Sequence, residues 1–334
     1  MNKLINALLS LLQALQPDSK IDENDIITDL ENQVLLSPAD DRDYTISRAT
    51  ERSTDTVIPA DFEVWQPPVE NQGSTGNCVA QSIANIMECI AHRYGEEHRD
   101  YSVGFIYGAP ENSASNGMYP REACDIILKR GDLLSSEYET NLENPSCKNL
   151  WRSSITPRLE ELAKTRKVLA YIRIKTKEEM QAFMFKYNLP VMIIAETKAF
   201  NRSSSGRHAT VAYGWISEET FKKDPKKYND WVESDVGYED ILFTNSWGTT
   251  WHSNKGRGAC KFENLEEIWG IIPMEKIKLT DIEGLWAQQD IEYLIELGII
   301  KGYEDNTFRP ENPITRAEVA SLIARVVRMI EDKE

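Results

Sequence analysis

Cysteine and histidine are scarce in this 334-residue chain, at five and four residues, and the shortage excludes two classes. A small disulfide-stapled domain needs a denser cysteine framework. A zinc cluster needs cysteines and histidines at paired close spacing, which Cys89, Cys124, Cys147, Cys260, His92, His98 and His252 do not show. Basic residues are also short, with 38 Lys and Arg against 54 Asp and Glu, and the net charge of −16 argues against nucleic acid as a partner. No apolar run approaches the roughly 18 residues of a membrane-spanning helix. No Gly-x-Ser-x-Gly elbow is present, which sets aside an α/β-type serine hydrolase. No metal and no cofactor are expected. What remains is a chain long enough for a domain of more than about 200 residues plus a small module.

The informative string is Gln72-Gly-Ser-Thr-Gly-Asn-Cys78, followed at once by an apolar helical run. It places a thiol where a helix begins. First-turn N–H groups and the positive end of the helix dipole favour the thiolate, and the preceding glycines let the backbone turn and leave the sulfur accessible. Downstream, Arg207 to Gly214 reads as a strand opening on His208, and Ile241 to Gly248 as a strand ending on Asn245-Ser-Trp-Gly. A thiolate attacking an amide needs an imidazolium to stabilise it and to protonate the leaving amine, and the imidazole needs a carbonyl to hold its tautomer. Cys78, His208 and Asn245 fit those roles. Gln72, six residues before the thiol, can offer its side-chain amide to an oxyanion beside the Cys78 backbone N–H.

These residues resemble the active site of papain-family cysteine peptidases, and the likeness runs over about residues 58–275. Ile58-Pro-Ala-Asp-Phe62 with Trp65 resembles the start of a mature enzyme. Asn116-Gly117-Met118-Tyr119-Pro120 resembles a stretch whose backbone pairs with bound peptide, and Trp247 and Trp251 resemble indoles flanking the histidine. The 130 residues from Cys78 to His208 lie within the family's spacing of about 130–150. The resemblance implies an α+β, two-lobed fold, a helical lobe plus a β-barrel-like lobe. It also implies a peptide or protein substrate cleaved through a Cys78 thioester. Departures are visible: Thr75 stands where a disulfide cysteine is usual, Val79 replaces a tryptophan, and Met118 replaces a glycine beside the peptide. Ser217 to Asp240, between His208 and Asn245, reads as a surface hairpin insertion. Two other readings stay open: a thioester-based acyl or peptidyl transferase, and a silent scaffold that binds or builds structure.

From about residue 280 the composition changes. Thr280 to Tyr303 implies two helices joined by a loop, a turn-rich Asp305 to Pro310 follows, and Thr315 with Glu318 makes a capping-box pattern opening a final helix. Gly298-Ile-Ile-Lys-Gly-Tyr303, Thr307-Phe-Arg-Pro310 and Ile314-Thr-Arg-Ala-Glu318 resemble an S-layer homology module, a small all-α unit. That resemblance implies attachment to anionic cell-wall polysaccharide through Arg316, whose guanidinium fork suits a carboxylate. A single module of about 50 residues buries little surface alone. Assembly of three chains as a homotrimer through these modules, or packing of the module on its own peptidase domain, would supply the rest.

The organisation read from the sequence is therefore 1–57, 58–276 and 277–334. In the first segment Leu4, Leu8, Leu11, Leu12 and Leu15 fall at helical spacing, and Asp18 to Asp43 reads as an acidic tether, with an inhibitory propeptide as one role for the whole. The wall-binding likeness points to the outside or surface of a bacterial cell, or to a phage or other assembled particle. The interrupted apolar start at Asn6, Ser10 and Gln13 is not a convincing signal peptide.

Overall fold

A computed structural model describes residues 34–38, 57–73, 75–96, 99–108, 117–138, 155–200, 206–228, 238–251, 254–274, 279–296, 299–303 and 305–331. The Leu4–Leu15 pattern, Asn116, Cys147, His98 and His252 lie outside the described residues. After a short strand β1 (Phe62–Glu63), helices come first: α1 (Cys78–Arg93), α2 (Val103–Gly108), α3 (Pro120–Lys129) and α4 (Pro157–Lys164). Strands then dominate: β2 (Val168–Ile174), α5 (Lys177–Tyr187), β3 (Val191–Glu196), β4 (Arg207–Trp215), α6 (Glu218–Lys223), α7 (Pro225–Tyr228), β5 (Ile241–Thr244), β6 (Arg257–Cys260) and β7 (Leu265–Pro273). Two further helices, α8 (Gln288–Glu296) and α9 (Arg316–Glu331), complete the order.

The strands form an antiparallel sheet in the order β2-β7-β3-β4-β5-β6, with β1 added to the end of β4. Both faces of this sheet are covered, which is why β3 and β4 are almost uninterrupted apolar runs. Met192 and Ile194 of β3 and Ala209 and Val211 of β4 pack with α1. Val191, Ile193 and Ala195 point the other way, onto Met180, Phe183 and Met184 of α5. Helix α1 is buried nearly all round, with Val79, Ile83 and Ile86 wholly enclosed, so it forms the spine joining the helical part to the sheet. Gly214 is required where β1 crosses β4, because a Cβ there would lie 2.2 Å from the Phe62 carbonyl oxygen.

Three expectations change. The stretch from Ser217 is not a hairpin over its described part. Ser217 caps α6 by accepting from the Thr220 amide, Glu218 and Glu219 fill the first turn, and Pro225 opens α7. Phe221 and Tyr228 of these helices are buried with Tyr213 and Leu242, so the insertion extends the core. In the C-terminal module, turns occupy 280–287 and α8 is the one helix among the described residues of 280–303, because Gly284 takes a positive φ of 76° where a first helix would run. The capping box does form, with the Glu318 amide donating to Thr315 Oγ1 and the Thr315 amide to Glu318 Oε2. Last, Val34 to Pro38, inside the stretch read as a tether, is docked. Val34 is 2% exposed, and the segment is held by side chains far along the chain.

Among the described residues no helix is long and apolar enough to cross a membrane. No group of three or more His, Cys, Asp or Glu side chains among them could hold a metal ion. Cys89, Cys124 and Cys260 are free and buried.

Candidate active site

Cys78 is the first residue of α1, reached through a turn in which Gly73 takes a φ of 60°. Cys78 is only 3% exposed, which corrects the expectation of an accessible thiol. Backbone N–H groups of Ala209, Val79 and Cys78 itself reach it and favour the thiolate, but burial outweighs them and pushes the thiol up to about 11. The helix terminus alone therefore does not ionise this sulfur. A cation must.

The Ala209 contact sets the sulfur beside β4 one residue from His208, which is itself 3% exposed. His208 Nε2 lies 2.8 Å from Asn245 Oδ1. That oxygen also accepts the Ser246 amide at 2.7 Å, so it is the acceptor end of the Asn245 amide. The hydrogen is thereby assigned to Nε2, and Nδ1 becomes the proton acceptor. Trp247 stacks on the imidazole at 4.3 Å between ring centroids, Phe200 meets it edge-on at 5.8 Å, and Trp251 stands edge-on to Trp247 at 5.4 Å. These rings shield the His208–Asn245 bond from water, which strengthens it.

Gln72 belongs to the same assembly. Its backbone amide donates to the Ser246 carbonyl at 2.8 Å, and Gly248 N donates to the Glu70 carbonyl at 2.9 Å, so residues 70–72 and 246–248 run as a hydrogen-bonded pair. Its side chain is fixed at both ends: Ser246 Oγ donates to Oε1 at 2.6 Å, and Nε2 donates to the Thr75 carbonyl at 2.8 Å. One Nε2 hydrogen remains for a ligand. Thr75, in the place of the family's usual cysteine, donates its hydroxyl to the Gln72 carbonyl at 2.7 Å and so closes the turn with hydrogen bonds.

The structure thus gathers Gln72, Cys78, His208, Asn245, Trp247 and Trp251. Met118 is 1% exposed, in the apolar cluster that holds Cys78, and Gly117 beside it is half-buried. Arg316 is apart from this site, exposed at the first position of α9. Sequence reasoning missed Thr75 and Ser246 as holders of Gln72, and it missed residues 34–38. Val34 N donates to the carbonyl of Arg207, the residue before His208, at 3.4 Å, and Val34 shares the buried cluster of Cys78 and Met118. Ser37 Oγ accepts the Arg121 amide at 3.1 Å, Arg121 Nη2 donates to the Pro38 carbonyl at 2.7 Å, and Arg173 Nη1 donates to the Ser37 carbonyl at 3.3 Å. The segment bridges α3 and the sheet. Its signal was the apolar Val34-Leu35-Leu36 within a polar stretch.

A thiol at a helix start, set against a strand-borne histidine that an asparagine orients, is the arrangement of a papain-like fold. Residues 59–262 match the family described as papain family cysteine protease, more than half of the chain, and the chain belongs to that family. Residues 278–320 match the S-layer homology domain. Among solved structures the chain is similar to xylellain, a cysteine protease from Xylella fastidiosa. The TM-score is 0.58 and the identity 16%, over 75% of this chain and 100% of that one. It is also similar to a proCathepsin B from Trypanosoma congolense, at a TM-score of 0.50 and 13% identity over 82% of this chain and 99% of that one. At these identities the likeness is one of fold. A cellulosome-anchoring protein of Acetivibrio thermocellus is 32% identical over 136 residues, 40% of this chain and 30% of that protein. Cell surface glycoprotein 1 of the same organism is 46% identical over 56 residues, 17% of this chain and 2% of that protein. The chain spans less than a third of the length of the curated relatives it matches.

Proposed function

We propose that this chain is a cysteine endopeptidase carried at a bacterial cell surface, or on an assembled particle, by its C-terminal module. The observation that carries the reading is the His208–Asn245 hydrogen bond beside a sulfur reached by the Ala209 amide. The thiolate of Cys78 attacks the peptide carbonyl carbon, forming a C–S bond. The carbonyl oxygen takes up charge facing the remaining Gln72 Nε2 hydrogen and the Cys78 N–H. The C–N bond then breaks as imidazolium Nδ1 gives its proton to the leaving amine. Water, deprotonated by the same nitrogen, cleaves the thioester and restores the thiol. Gly117 and Met118 line the peptide's path with their backbone, and Trp247 and Trp251 flank the leaving-group side.

Labelling with an epoxysuccinyl thiol inhibitor tests this directly. One equivalent is expected on Cys78 of the wild type and none on Cys78→Ala. No modification of the wild type moves the reading to a silent scaffold. A product joined to an added amine in preference to water moves it to a transferase.

In the same reading, residues 34–38 act as an inhibitory segment of the first 57 residues, seated against the histidine strand. The surface assignment is supported by the S-layer homology match and by the likeness to cell surface glycoprotein 1. Arg316 contacts anionic wall polysaccharide. Ile314, Val319, Ile323 and Val326, exposed at the start of α9 and along it, are the surface that three modules would share in a homotrimer. Arg316→Ala is expected to lower co-sedimentation of the full chain with acidic wall polysaccharide by about tenfold. Unchanged binding would remove that residue's role, and light scattering of the same samples reads the trimer.

A further inference from the structure

Beneath Asn245, between α1 and the paired ends of β4 and β5, lies a cavity of about 20 Å³ whose lining includes Gln81, Ser82, Thr210, Asn245 and Glu70. Gln81 is one turn along α1 from the nucleophile. Extending the Val211↔Thr244 pairing by one step sets Thr210 beside Asn245 on the strand that carries His208. Gln81, Thr210 and Asn245 are 6%, 1% and 2% exposed, and each of these lining residues carries an atom with no hydrogen-bond partner: Gln81 Oε1, Thr210 Oγ1 and Asn245 Nδ2. Asn245 is fully engaged at its other end, where Oδ1 accepts from His208 and Ser246. The residues around this space thus hold an unpartnered amide donor, amide acceptor and hydroxyl, and its volume fits one water, which needs about 10–15 Å³ and two to four polar partners.

We infer that this cavity is a built water site, and that Gln81 and Thr210 are positioning residues for Asn245. The water accepts from Asn245 Nδ2 and donates to Gln81 Oε1 and Thr210 Oγ1. The inference rests on the peptidase reading of Cys78 and His208 and assigns the support of that pair. An Asn245 amide that donates at Nδ2 is held in one plane and is a better acceptor at Oδ1, so it stabilises the imidazolium and through it the thiolate. Among the described residues, Glu70 from the segment before Gln72 lines the cavity, and the Cys78 sulfur of α1 lies at the Ala209 amide next to His208. Arg207, next to His208, pairs with Glu266 at 2.8 Å.

The test is the rate of Cys78 alkylation by iodoacetamide against pH in the full chain, with kcat/KM measured beside it. The wild type is expected to hold a reactive plateau through neutral pH, bounded above by loss of the imidazolium proton. Gln81→Leu and Thr210→Val are each expected to lower neutral-pH alkylation and kcat by about 5- to 10-fold with KM unchanged. They also bring the alkaline edge of the plateau down by about half a pH unit, because a less stabilised imidazolium loses its proton sooner. Thr210→Ser restores the wild-type profile. A wild-type plateau that both variants leave unaltered overturns the inference and leaves the peptidase reading standing. A wild type with no plateau overturns both. A crystal structure of the full chain gives a readout independent of how well the variants fold: a water oxygen within hydrogen-bond distance of Asn245 Nδ2 and Gln81 Oε1 supports the site, and a dry cavity ends it.

Discussion

Replacing His208 with alanine is expected to lower kcat/KM for a peptide substrate by about 10⁴-fold at pH 7, with the thiol still present. The magnitude follows from the sulfur's surroundings. Burial holds the Cys78 thiol at about 11 even with three backbone N–H groups aimed at it. A lone group of that acidity is ionised to about one part in 10⁴ at neutral pH, and only the ionised form is a nucleophile. A charged imidazole one residue from the Ala209 contact supplies the missing stabilisation, because two opposite charges in a water-poor site attract far more strongly than in bulk water. The sign of the pH dependence follows. A raised thiol keeps its proton until the pH approaches 11, so alkylation of His208→Ala should climb steadily through the alkaline range, while the wild type reacts at neutral pH. Thermal melting must accompany the measurement, since His208 is buried against Trp247 and Phe200 and its loss leaves a cavity. If His208→Ala is alkylated at the wild-type rate at pH 7 while remaining folded, the histidine does not ionise the sulfur.

The parts of this site that were legible in the sequence are those where chemistry restricts residue identity within a short string. A helix beginning at Cys78, a strand opening on His208 and a strand ending before Asn245 could each be read locally, and each is in place. The order of the strings is what drew them into one cleft. Long-range contacts that leave no local mark could not be read. The accessibility expected for the sulfur fails because β4 crosses the start of α1 and Val34 joins the same cluster, and neither pairing is encoded near residue 78. Thr75 was seen only as a missing cysteine, though it fastens Gln72 by its hydroxyl and its carbonyl. The insertion after Ser217 carried its own helix signals, the serine cap, the paired glutamates and Pro225. Its charged composition masked two aromatic residues that bury themselves under β5 and β6. Gln81 and Thr210 read as ordinary polar positions in a helix and a strand until the register sets one beside Asn245 and the other beneath it.

Val34→Asp is expected to lower the apparent KM for a peptide substrate by about 10- to 100-fold while leaving kcat unchanged. A segment of the same chain competes with substrate at an effective concentration of about a millimolar or more. Displacing it therefore changes how much substrate is needed and not how fast bound substrate reacts. The size comes from what holds the segment. Burying one valine side chain contributes about 1.5–2 kcal/mol, and a carboxylate in its place reverses the sign, because the charge would lose its hydration among apolar side chains. At the other end, hydrogen bonds from Arg121 and Arg173 to the Ser37 and Pro38 carbonyls contribute about 1–2 kcal/mol between them once partial exposure is allowed for. Val34→Asp leaves those bonds in place, so its effect is the valine's share of about 1.5–2 kcal/mol with the carboxylate's lost hydration beyond it, a factor of roughly 10–100 in occupancy. Arg121→Ala, which loosens the far end and leaves Val34 in place, is expected to give a smaller shift in the same direction. Steady-state kinetics on intact, uncleaved chains, checked by mass spectrometry, distinguishes this from removal of the first residues by proteolysis. An unchanged KM in Val34→Asp, with kcat also unchanged, would show that the segment lies beside the peptide's path and not across it, because nothing that occupies the cleft can be expelled without freeing substrate to enter at lower concentration.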